Sequence, residues 1–245
     1  NTQRENFDVI GVGDMSGDVF GNGMLLSSHI CLIGAFNHQH IFVDPEPDAA
    51  RGIVERKRLF RMQRSSWTDY NLSLISKGGG IFDRSAKSIE LSPEIQKRFN
   101  LSKTKVTPNE LIRALLMAKA DLLWFGGIGT YLKNTGETHF DVGDRANDAI
   151  RINANQLNVR VVGEGANLGV TQRGRVQAAL NGVRIYADSI DNSAGVDCSD
   201  HEVNIKILID QIVSQGSLTK KQRNSLLAQM TEEVGQQVLV DNYNQ

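Results

Sequence analysis

The stretch FDVIGVGDMSG, residues 7–17, decides the fold. Its first six residues form an apolar run typical of a buried strand. A glycine turn follows, and then a helical pattern that we predict to continue to about Ile33, with Gly34 ending it. A strand, a glycine turn and a helix in this order can bind phosphate, because glycine lets the backbone approach the anion and the helix N-terminus presents N–H groups. The spacing is GxGxxxG, and a second glycine pair, Gly21 and Gly23, leaves the register of the loop open.

We predict that this loop contacts the pyrophosphate of a dinucleotide through six residues: Gly11, Gly13, Asp14, Met15, Ser16 and Gly17. Two carboxylates fit that role poorly, because Asp14 and Asp18 would repel a phosphate. A purely structural explanation therefore stays open, in which Asp18 stabilises the helix dipole and Gly11 serves close packing. The position of the loop directly after the first strand favours the cofactor site.

The rest of the chain alternates short apolar runs with helical patterns, which is typical of βαβ units on a parallel sheet. The predicted strands are residues 7–12, 41–43, 72–75, 122–125, 159–162 and 183–187. Helices are predicted after Ser92-Pro93, after the capping box 107–110, over 144–157 and 168–180, and from 201 to about 240 with a break at 214–219. The sequence thus predicts an α/β fold over residues 1–200, a Rossmann-like, doubly wound, mostly parallel sheet with helices on both faces, and a helical C-terminal tail over residues 201–245.

The choice of cofactor depends on the end of the predicted second strand, HIFVD at residues 40–44. An acidic residue at that place accepts hydrogen bonds from the adenosine ribose of NAD and repels the 2′-phosphate of NADP. Asp44 therefore favours NAD. A basic run just downstream leaves NADP as an alternative, although such a run is also typical of a solvated helix face: Arg51, Arg56, Lys57, Arg58, Arg61 and Arg64.

Two further predicted strands end in turns at which a ligand could bind, since ligands of open α/β sheets gather at the carboxyl ends of strands. The strand 122–125 runs into Gly126 and Gly127, which would allow close approach of a ribose or adenine, with a plain loop as the alternative. The strand 159–162 runs into GEGAN, residues 163–167. Asn167 is placed there to hydrogen-bond the nicotinamide ribose or carboxamide.

Composition narrows the class of protein. The 245 residues carry 27 basic and 28 acidic side chains, and a net charge of −1 provides no long-range attraction for nucleic acid or an anionic membrane. No apolar run approaches the roughly 20 residues of a membrane helix. Cys31 and Cys198 are far apart and are expected to be reduced thiols of a cytoplasmic protein. Because the chain begins at Asn1, we expect it to be a segment of a longer polypeptide.

Three segments resemble the glutamate dehydrogenases, within the wider amino-acid dehydrogenases. Residues 76–82 (SKGGGIF) are similar to a turn after a Rossmann strand in that family, and residues 164–167 to its Glu-Gly-Ala-Asn turn. Residues 192–199 (NSAGVDCS) are similar to its asparagine, glycine, valine and serine stretch, although Ala194 replaces the usual glycine. Segments near the glycine loop and after position 76 look still more similar to the very long bacterial NAD-specific enzymes. Relative to shorter family members, residues 44–75 form an insertion.

The resemblance implies a domain of an NAD-dependent enzyme that converts L-glutamate, NAD and water into 2-oxoglutarate, ammonia and NADH. It implies that Asn167 and Asn192 lie near the nicotinamide and that Ser199 holds the side-chain carboxylate of glutamate. For Ser199 the alternative is a capping box with Glu202. The family's catalytic lysine and aspartate belong to a substrate domain, so we expect no catalytic residue in this chain, and we expect Lys77 to lie in a turn. A homo-oligomer is expected for the full-length enzyme.

Two other functions stay open: the cofactor domain of a different amino-acid dehydrogenase, and a non-catalytic module that senses dinucleotides. A metal centre is not predicted. His38 and His40 have the spacing of metal ligands on a strand, but no third ligand is evident beside them. NAD is therefore the one expected cofactor.

Overall fold

The computed structural model describes residues 1–244, which fold into two compact units, residues 1–186 and the residues from Ala187 onward. The first unit contains an open β-sheet covered by helices. The described part of the second unit is helical. The second unit begins earlier in the chain than position 201, the boundary expected from the sequence.

The elements are numbered along the chain. The strands are β1 (Phe7–Val12), β2 (Ile30–Phe36), β3 (His40–Val43), β4 (Gly80–Asp83), β5 (Ile89–Glu90), β6 (Lys105–Val106), β7 (Ala120–Phe125), β8 (Leu132–Lys133), β9 (Ile152–Asn153), β10 (Val159–Glu164) and β11 (Arg184–Ile185). The helices are α1 (Asp18–Leu25), α2 (Ala49–Arg61), α3 (Pro93–Arg98), α4 (Pro108–Leu116), α5 (His139–Val142), α6 (Gln172–Leu180), α7 (Asp188–Asp191), α8 (Ser193–Ser214) and α9 (Lys220–Asn244). Short 3₁₀ turns lie at Trp67–Asp69, Leu72–Leu74, Arg145–Asn147 and Ala154–Gln156.

The main sheet has the strand order β11-β10-β7-β1-β2-β3-β4. The first five of these strands are parallel, whereas β3 is antiparallel to β2 and β4 is antiparallel to β3. After β1 the chain builds the sheet through β2 on one side and later returns to the other side at β7. A topological switch point therefore lies between β1 and β7, where open α/β sheets bind their ligands.

Helices cover both faces of this sheet. Successive side chains of a strand point to opposite faces, so Ile10 and Val12 of β1 pack in the apolar layer of α3, α4 and α6, whereas Val9 packs in the layer of α1 and α2. Both layers are fully buried at their centres. The predicted fold class, a doubly wound and mostly parallel α/β sheet, is confirmed.

The helix predicted to run from the glycine loop to about Ile33 is wrong. α1 ends at Leu25, and the run ICLIGAF forms β2, in which every residue is buried. A continuous apolar run of this length fits a strand buried on both faces, and periodicity alone does not separate it from a buried helix. Gly34 does not end a helix. A Cβ on Gly34 would lie 2.7 Å from the Leu115 side chain, so glycine permits α4 to pack closely on the sheet.

Three other predictions need correction. The strand predicted at 41–43 exists as β3, but it is antiparallel to β2. It lies third in the series that runs from β1 through β2 toward β4. Residues 72–75 form a 3₁₀ turn rather than a strand, because the Asn71 side chain accepts a hydrogen bond from the Ser73 N–H and caps the turn. Residues 144–157 contain two 3₁₀ turns and β9 instead of a helix. There the Gln156 side chain accepts from the Asn153 backbone N–H at 2.9 Å, a local bond that competes with helix formation.

The remaining predicted elements are confirmed within small shifts of their ends. The Thr107 capping box opens α4, Ser92 caps α3, and β7, β10 and α6 lie where apolar patterns placed them. The break between the two C-terminal helices falls at residues 215–219, although α8 already begins at Ser193. Through residue 244, no helix combines the length and the apolar composition that crossing a bilayer requires.

Candidate functional site

A cavity of about 1000 Å³ opens at the carboxyl edge of the sheet, beside the switch point. This is the size of a small-molecule or cofactor site. Two of its walls are the glycine loop, residues 13–17, and the turn after β7, residues 126–130, which we call the β7 turn. Further walls are residues 37–40, which connect β2 to β3 and include the first residue of β3, residues 83–85 at the end of β4, and residues 146–147.

The glycine loop is fixed by packing that glycine alone allows. Gly13 has a φ of +133°, and a Cβ on it would lie 2.8 Å from the Phe20 ring. A Cβ on Gly11 would lie 2.5 Å from the same ring. The fully buried Trp67 donates from its indole Nε1 to the Gly13 carbonyl oxygen at 3.0 Å and meets Phe20 edge-on. The segment at residues 44–75, which contains Trp67, therefore supports the loop from the core.

The N-terminus of α1 faces the cavity without a side-chain cap. Gly17 is the N-cap residue, it lines the cavity, and no side chain hydrogen-bonds there as a cap. A Cβ on Gly17 would meet only the Asp14 carbonyl oxygen, at 3.5 Å. The Asp18 carboxylate accepts from the Val19 N–H at 2.8 Å, within the first turn. A helix start of this kind offers N–H groups and partial positive charge to an anion.

Asp14 is part of the loop's own hydrogen-bond network. Its carboxylate accepts from the Ser16 N–H at 2.9 Å and from the Asn37 Nδ2 at 2.7 Å. Burial opposes ionisation, but the hydrogen bonds from Ser16 and Asn37 outweigh it and lower the pKa of Asp14. The Asp14 carboxylate thus fixes the conformation of the loop. From the sequence this carboxylate was expected to repel a phosphate, and the hydrogen-bond donors around it reduce that repulsion.

The β7 turn is held by charged side chains. A Cβ on Gly126 would lie 2.6 Å from the Phe20 Cα, which brings this turn against α1. The Arg151 side chain has no exposed surface, and its Nε donates to the Thr130 carbonyl oxygen at 2.8 Å. The Asp144 carboxylate accepts from the Thr130 N–H at 2.8 Å. Both peptide groups that flank Thr130 are therefore anchored.

The remaining walls come from the antiparallel extension of the sheet. The buried Asn37 follows β2 directly, and its Oδ1 accepts from the backbone N–H groups of Gln39 and His40 at 2.8 and 2.7 Å. The Arg84 guanidinium donates to the Asn37 carbonyl oxygen at 2.6 Å, and partial burial lowers the pKa of Arg84. Asp83, beside it, adds a carboxylate to this side of the cavity.

Asp44 does not lie with these residues. The strand before it is antiparallel, so it points away from the edge at which the glycine loop lies, and the prediction that Asp44 ends the second parallel strand is wrong. Asp44 is 2% exposed and accepts from the Ser76 N–H at 3.1 Å and from its hydroxyl. Burial raises the pKa of Asp44 despite these bonds. Asn37 occupies the place at the end of the second parallel strand.

Two other predicted contacts also lie away from the cavity. Met15 is 2% exposed and packs in the core layer of α1, and Gly11 is a buried strand residue against Phe20, as the packing explanation proposed. Asp14, Ser16 and the remaining glycines of the loop do line the cavity, as do Gly126 and Gly127.

In the part of the chain that the structure describes, no residue of the basic run at 51–64 lines the cavity. Its central member, Arg56, is 2% exposed and donates to the carbonyl oxygens of Met24 at 3.0 Å and Ile30 at 3.3 Å, where α1 ends and β2 begins. Burial lowers the pKa of Arg56 to about 10. Arg58 pairs with Glu55 at 2.6 Å. The run is therefore partly structural, and an NADP site built on it has no support in this geometry.

Asn167 lies in a clamped turn after β10, at the same edge of the sheet. The fully buried Glu164 binds Arg175 at 2.6 Å and accepts from the Val170 N–H at 3.2 Å, which closes the turn around Asn167. Leu168, next to it, has a left-handed φ of +64°. Asn167 itself is half-buried.

Asn192 and Ser199 belong to the second unit. Asn192 precedes α8, and its carbonyl oxygen accepts from the Gly195 N–H at 2.9 Å. Ser199 is exposed in the second turn of α8. Because α8 begins at Ser193, the alternative that Ser199 and Glu202 form a capping box at a helix start is wrong.

Four residues that shape the cavity were missed in the sequence analysis: Asn37, Trp67, Arg84 and Arg151. Asn37 was hidden because the strand before it was assigned to a helix. The other three act through contacts with residues distant in the chain. Only Asn37 had a usable signal, since a polar residue directly after the apolar run ICLIGAF is typical of a strand end.

An open, mostly parallel sheet with a glycine loop at its switch point defines a Rossmann-like domain. Over residues 1–245 the chain matches the family described as "Bacterial NAD-glutamate dehydrogenase, catalytic domain", and it belongs to that family. Over its whole length it is 65% identical to the NAD-specific glutamate dehydrogenase of Halomonas elongata, 58% to that of Pseudomonas aeruginosa and 57% to that of Mycobacterium tuberculosis. The chain spans only 15%, 15% and 16% of the lengths of these relatives. The resemblance to glutamate dehydrogenases is confirmed.

Proposed function

We propose that residues 1–186 are the NAD-binding domain of a bacterial glutamate dehydrogenase. The observation that carries the proposal is that the uncapped start of α1, the glycine loop and the β7 turn meet at one cavity beside the switch point. The relatives are named NAD-specific, which supports NAD rather than NADP.

In the proposed complex, the pyrophosphate lies against residues 13–17. The adenosine lies on the β2 side, where Asn37 rather than Asp44 is placed at the end of the second parallel strand. The nicotinamide lies toward β10 and Asn167, and a ribose lies between the two ends, where Gly126 and Gly127 line the cavity. This is the usual direction of a dinucleotide across a switch point.

Asp14 and Asp83 are proposed to disfavour NADP. Both line the cavity, and hydrogen bonds from Ser85 lower the pKa of Asp83. Both carboxylates are therefore ionised at neutral pH and would repel a 2′-phosphate. Arg84 is the cation on this side, but its guanidinium is already bound to the Asn37 carbonyl oxygen.

For the complete polypeptide we propose reversible oxidative deamination of L-glutamate to 2-oxoglutarate and ammonia. Bound NAD would supply the hydride acceptor. Residues 1–186 orient it, and the family resemblance is what assigns Asn192 to the nicotinamide and Ser199 to the side-chain carboxylate of glutamate. The lysine and aspartate of the chemistry come from the rest of the polypeptide. Lys77 is not a candidate, since its side chain is 91% exposed in a turn and pairs with Glu94 at 2.9 Å. The unpaired Cys31 and Cys198 support a cytoplasmic location.

The substitution Gly17→Val tests the pyrophosphate site with little effect on folding. The new side chain begins 3.5 Å from its one close neighbour and enters the cavity, so it should displace a phosphate without disturbing the core. NAD affinity, measured by calorimetry on the complete polypeptide, should fall at least roughly 10-fold, equivalent to about 1.4 kcal/mol. The matched control is Gly235→Val on α9, where a Cβ meets nothing within 4 Å and affinity should not change.

Equal NAD affinity in Gly17→Val and the control would contradict the proposed pyrophosphate position. Glutamate-dependent NADH formation by the unsubstituted polypeptide then separates the possible functions. NAD binding without turnover on any amino acid supports a sensing module, and turnover on another amino acid in place of glutamate supports a different dehydrogenase.

A further inference from the structure

The second unit contains a cluster of three metal-ligating side chains that the proposed reaction does not use. Asp197 and His201 lie one turn apart on α8, and Asp241 lies near the end of α9. One ligand atom of each, the imidazole Nε2 and two carboxylate oxygens, lies within 4.8 Å of the other two. The whole cluster lies within the helical unit.

The geometry of the helix pair brings the cluster together. α8 and α9 run antiparallel, since Arg223 near the start of α9 pairs with Asp210 near the end of α8. At the opposite, open end, the Asn242 Nδ2 donates to the Ser193 Oγ at 2.7 Å. The cluster lies at this open end, where no covalent turn joins the helices.

The His201 Nε2 atom is a buried polar atom without a hydrogen-bond partner among the described residues. It lies 3.5 Å from the Asp197 Oδ1 and 3.8 Å from the Asp241 Oδ2, too far for good hydrogen bonds. A single N–H could satisfy one carboxylate at most, and the two carboxylates repel each other unless a positive charge lies between them.

We infer that Asp197, His201 and Asp241 form a site for a divalent transition-metal ion that clasps the open ends of α8 and α9. One imidazole nitrogen and two carboxylate oxygens suit Zn²⁺ and its neighbours in the first transition row, whereas Mg²⁺ and Ca²⁺ prefer oxygen ligands alone. Tetrahedral Zn²⁺ with bonds of about 2.0–2.2 Å sets its ligands roughly 3.4 Å apart, close to the distances of His201 from the two carboxylates.

The exposure of the cluster fits an exchangeable ion. The side chains of Asp197 and His201 are 26% and 30% exposed, and that of Asp241 is 48% exposed. Three protein ligands leave at least one coordination position for water. Binding would use the lone pair of the His201 Nε2 and two ionised carboxylates, so a proton on Nε2 leaves to solvent as the metal–nitrogen bond forms.

Zinc titration of the complete polypeptide, freed of metal by a chelator, tests the site. A competing chromophoric chelator should report one equivalent of Zn²⁺ that is lost in His201→Gln and in Asp241→Asn. Loss of a mere outer-shell partner already costs about 10- to 100-fold in metal affinity, so loss of a ligand should cost at least roughly 100-fold. The matched control is Asp200→Asn, an exposed carboxylate beside His201 that is not in the cluster, and it should retain the full affinity.

The use of Asp241→Asn keeps the test valid if His201→Gln disturbs α8, because Asp241 is exposed and near the end of α9. Anomalous scattering at the zinc edge should place the ion between the three side chains. The inference is overturned if Zn²⁺ stoichiometry is the same in all variants, if millimolar Zn²⁺ does not bind, or if the anomalous peak lies elsewhere. None of these outcomes depends on NAD binding.

Discussion

The glycine loop and the β7 turn border the same cavity, but different forces hold them in place. The glycine loop is held by apolar packing on Phe20, by a hydrogen bond from Trp67, and by the hydrogen bonds that the Asp14 carboxylate accepts from Ser16 and Asn37. The β7 turn is held by the buried Arg151 and its acidic partners. Both turns are glycine-rich and could adopt other conformations, so in each case a side chain from a distant segment selects the one observed.

The Trp67 hydrogen bond and the Arg151 ion pairs differ in how much free energy their removal costs. A neutral hydrogen bond contributes about 0.5–1.5 kcal/mol net. Removing one partner of a buried charge pair costs about 3–5 kcal/mol, because the other charge is left in a poorly hydrated place. The β7 turn should therefore be the more sensitive to a single substitution, although its own sequence contains no charged residue.

Arg151→Met should have the largest effect. It leaves the carboxylates of Asp144 and Asp148, 24% and 38% exposed, without their guanidinium and frees the Thr130 carbonyl oxygen. Since both carboxylates are partly hydrated, we expect the lower end of the range, about 3 kcal/mol. Hydrogen exchange of the β7 turn in the complete polypeptide should accelerate on the order of 100-fold, and NAD affinity should fall with it.

Arg160→Met is the matched control. The Arg160 side chain is 82% exposed and pairs with Asp121 at 3.3 Å, and such surface pairs contribute at most about 1 kcal/mol. Unchanged exchange of the β7 turn in Arg151→Met, or an equal effect in both variants, would show that the buried network does not hold the turn.

Trp67→Phe should have a smaller effect on the glycine loop. The ring packing on Phe20 and Phe42 is largely kept, and the indole donor to the Gly13 carbonyl oxygen is lost. We expect a loss of about 1 kcal/mol, or roughly fivefold in NAD affinity by calorimetry.

Trp124→Phe separates this bond from the loss of ring volume. The Trp124 Nε1 is buried and has no hydrogen-bond partner in the described chain, so the same substitution removes a similar volume but no hydrogen bond to the loop. If both variants lose NAD affinity equally, ring volume and not the bond to Gly13 accounts for the effect.

The fold was predictable from the sequence where the signal is local. The Thr107 and Ser92 caps predict α4 and α3, and the apolar runs followed by glycine predict β1 and β7. β2 was not predictable in the same way, because ICLIGAF has neither a period of two nor a helical period that could decide between the two structures. That one error also moved the expected ribose contact to Asp44, since it made β3 the second strand.

The residues of the candidate site likewise fall into those that local sequence predicts and those that it does not. The glycine loop and Gly126 were predictable because adjacent residues form them. Trp67 and Arg151 were not, since their roles depend on partners 54 and 21 positions away, Gly13 and Thr130. Single-sequence patterns contain no information on contacts of that separation. The anchors of the site are therefore evident only in the folded chain.

Asp14→Asn should have the smallest effect, and it tests the charge within the glycine loop. Burial opposes ionisation of Asp14, but bonds from Ser16 and Asn37 lower its pKa in the folded chain. A lowered folded pKa stabilises the loop fully above the unfolded value of 3.8, and this contribution is lost as pH falls through the folded pKa. Because the carboxylate is only half-buried, we expect less than about 1 kcal/mol.

The measurement is hydrogen exchange of residues 13–20 at several pH values between 3 and 7, corrected for intrinsic rates. The unsubstituted polypeptide should be better protected than Asp14→Asn at pH 6, and the difference should shrink toward pH 3. A difference that grows as the pH falls would mean that the carboxylate strains the loop when it is ionised. The hydrogen bonds from Ser16 and Asn37 would then only offset the unfavourable charge of Asp14. The conformation of the loop would depend on the Trp67 hydrogen bond and on glycine packing alone.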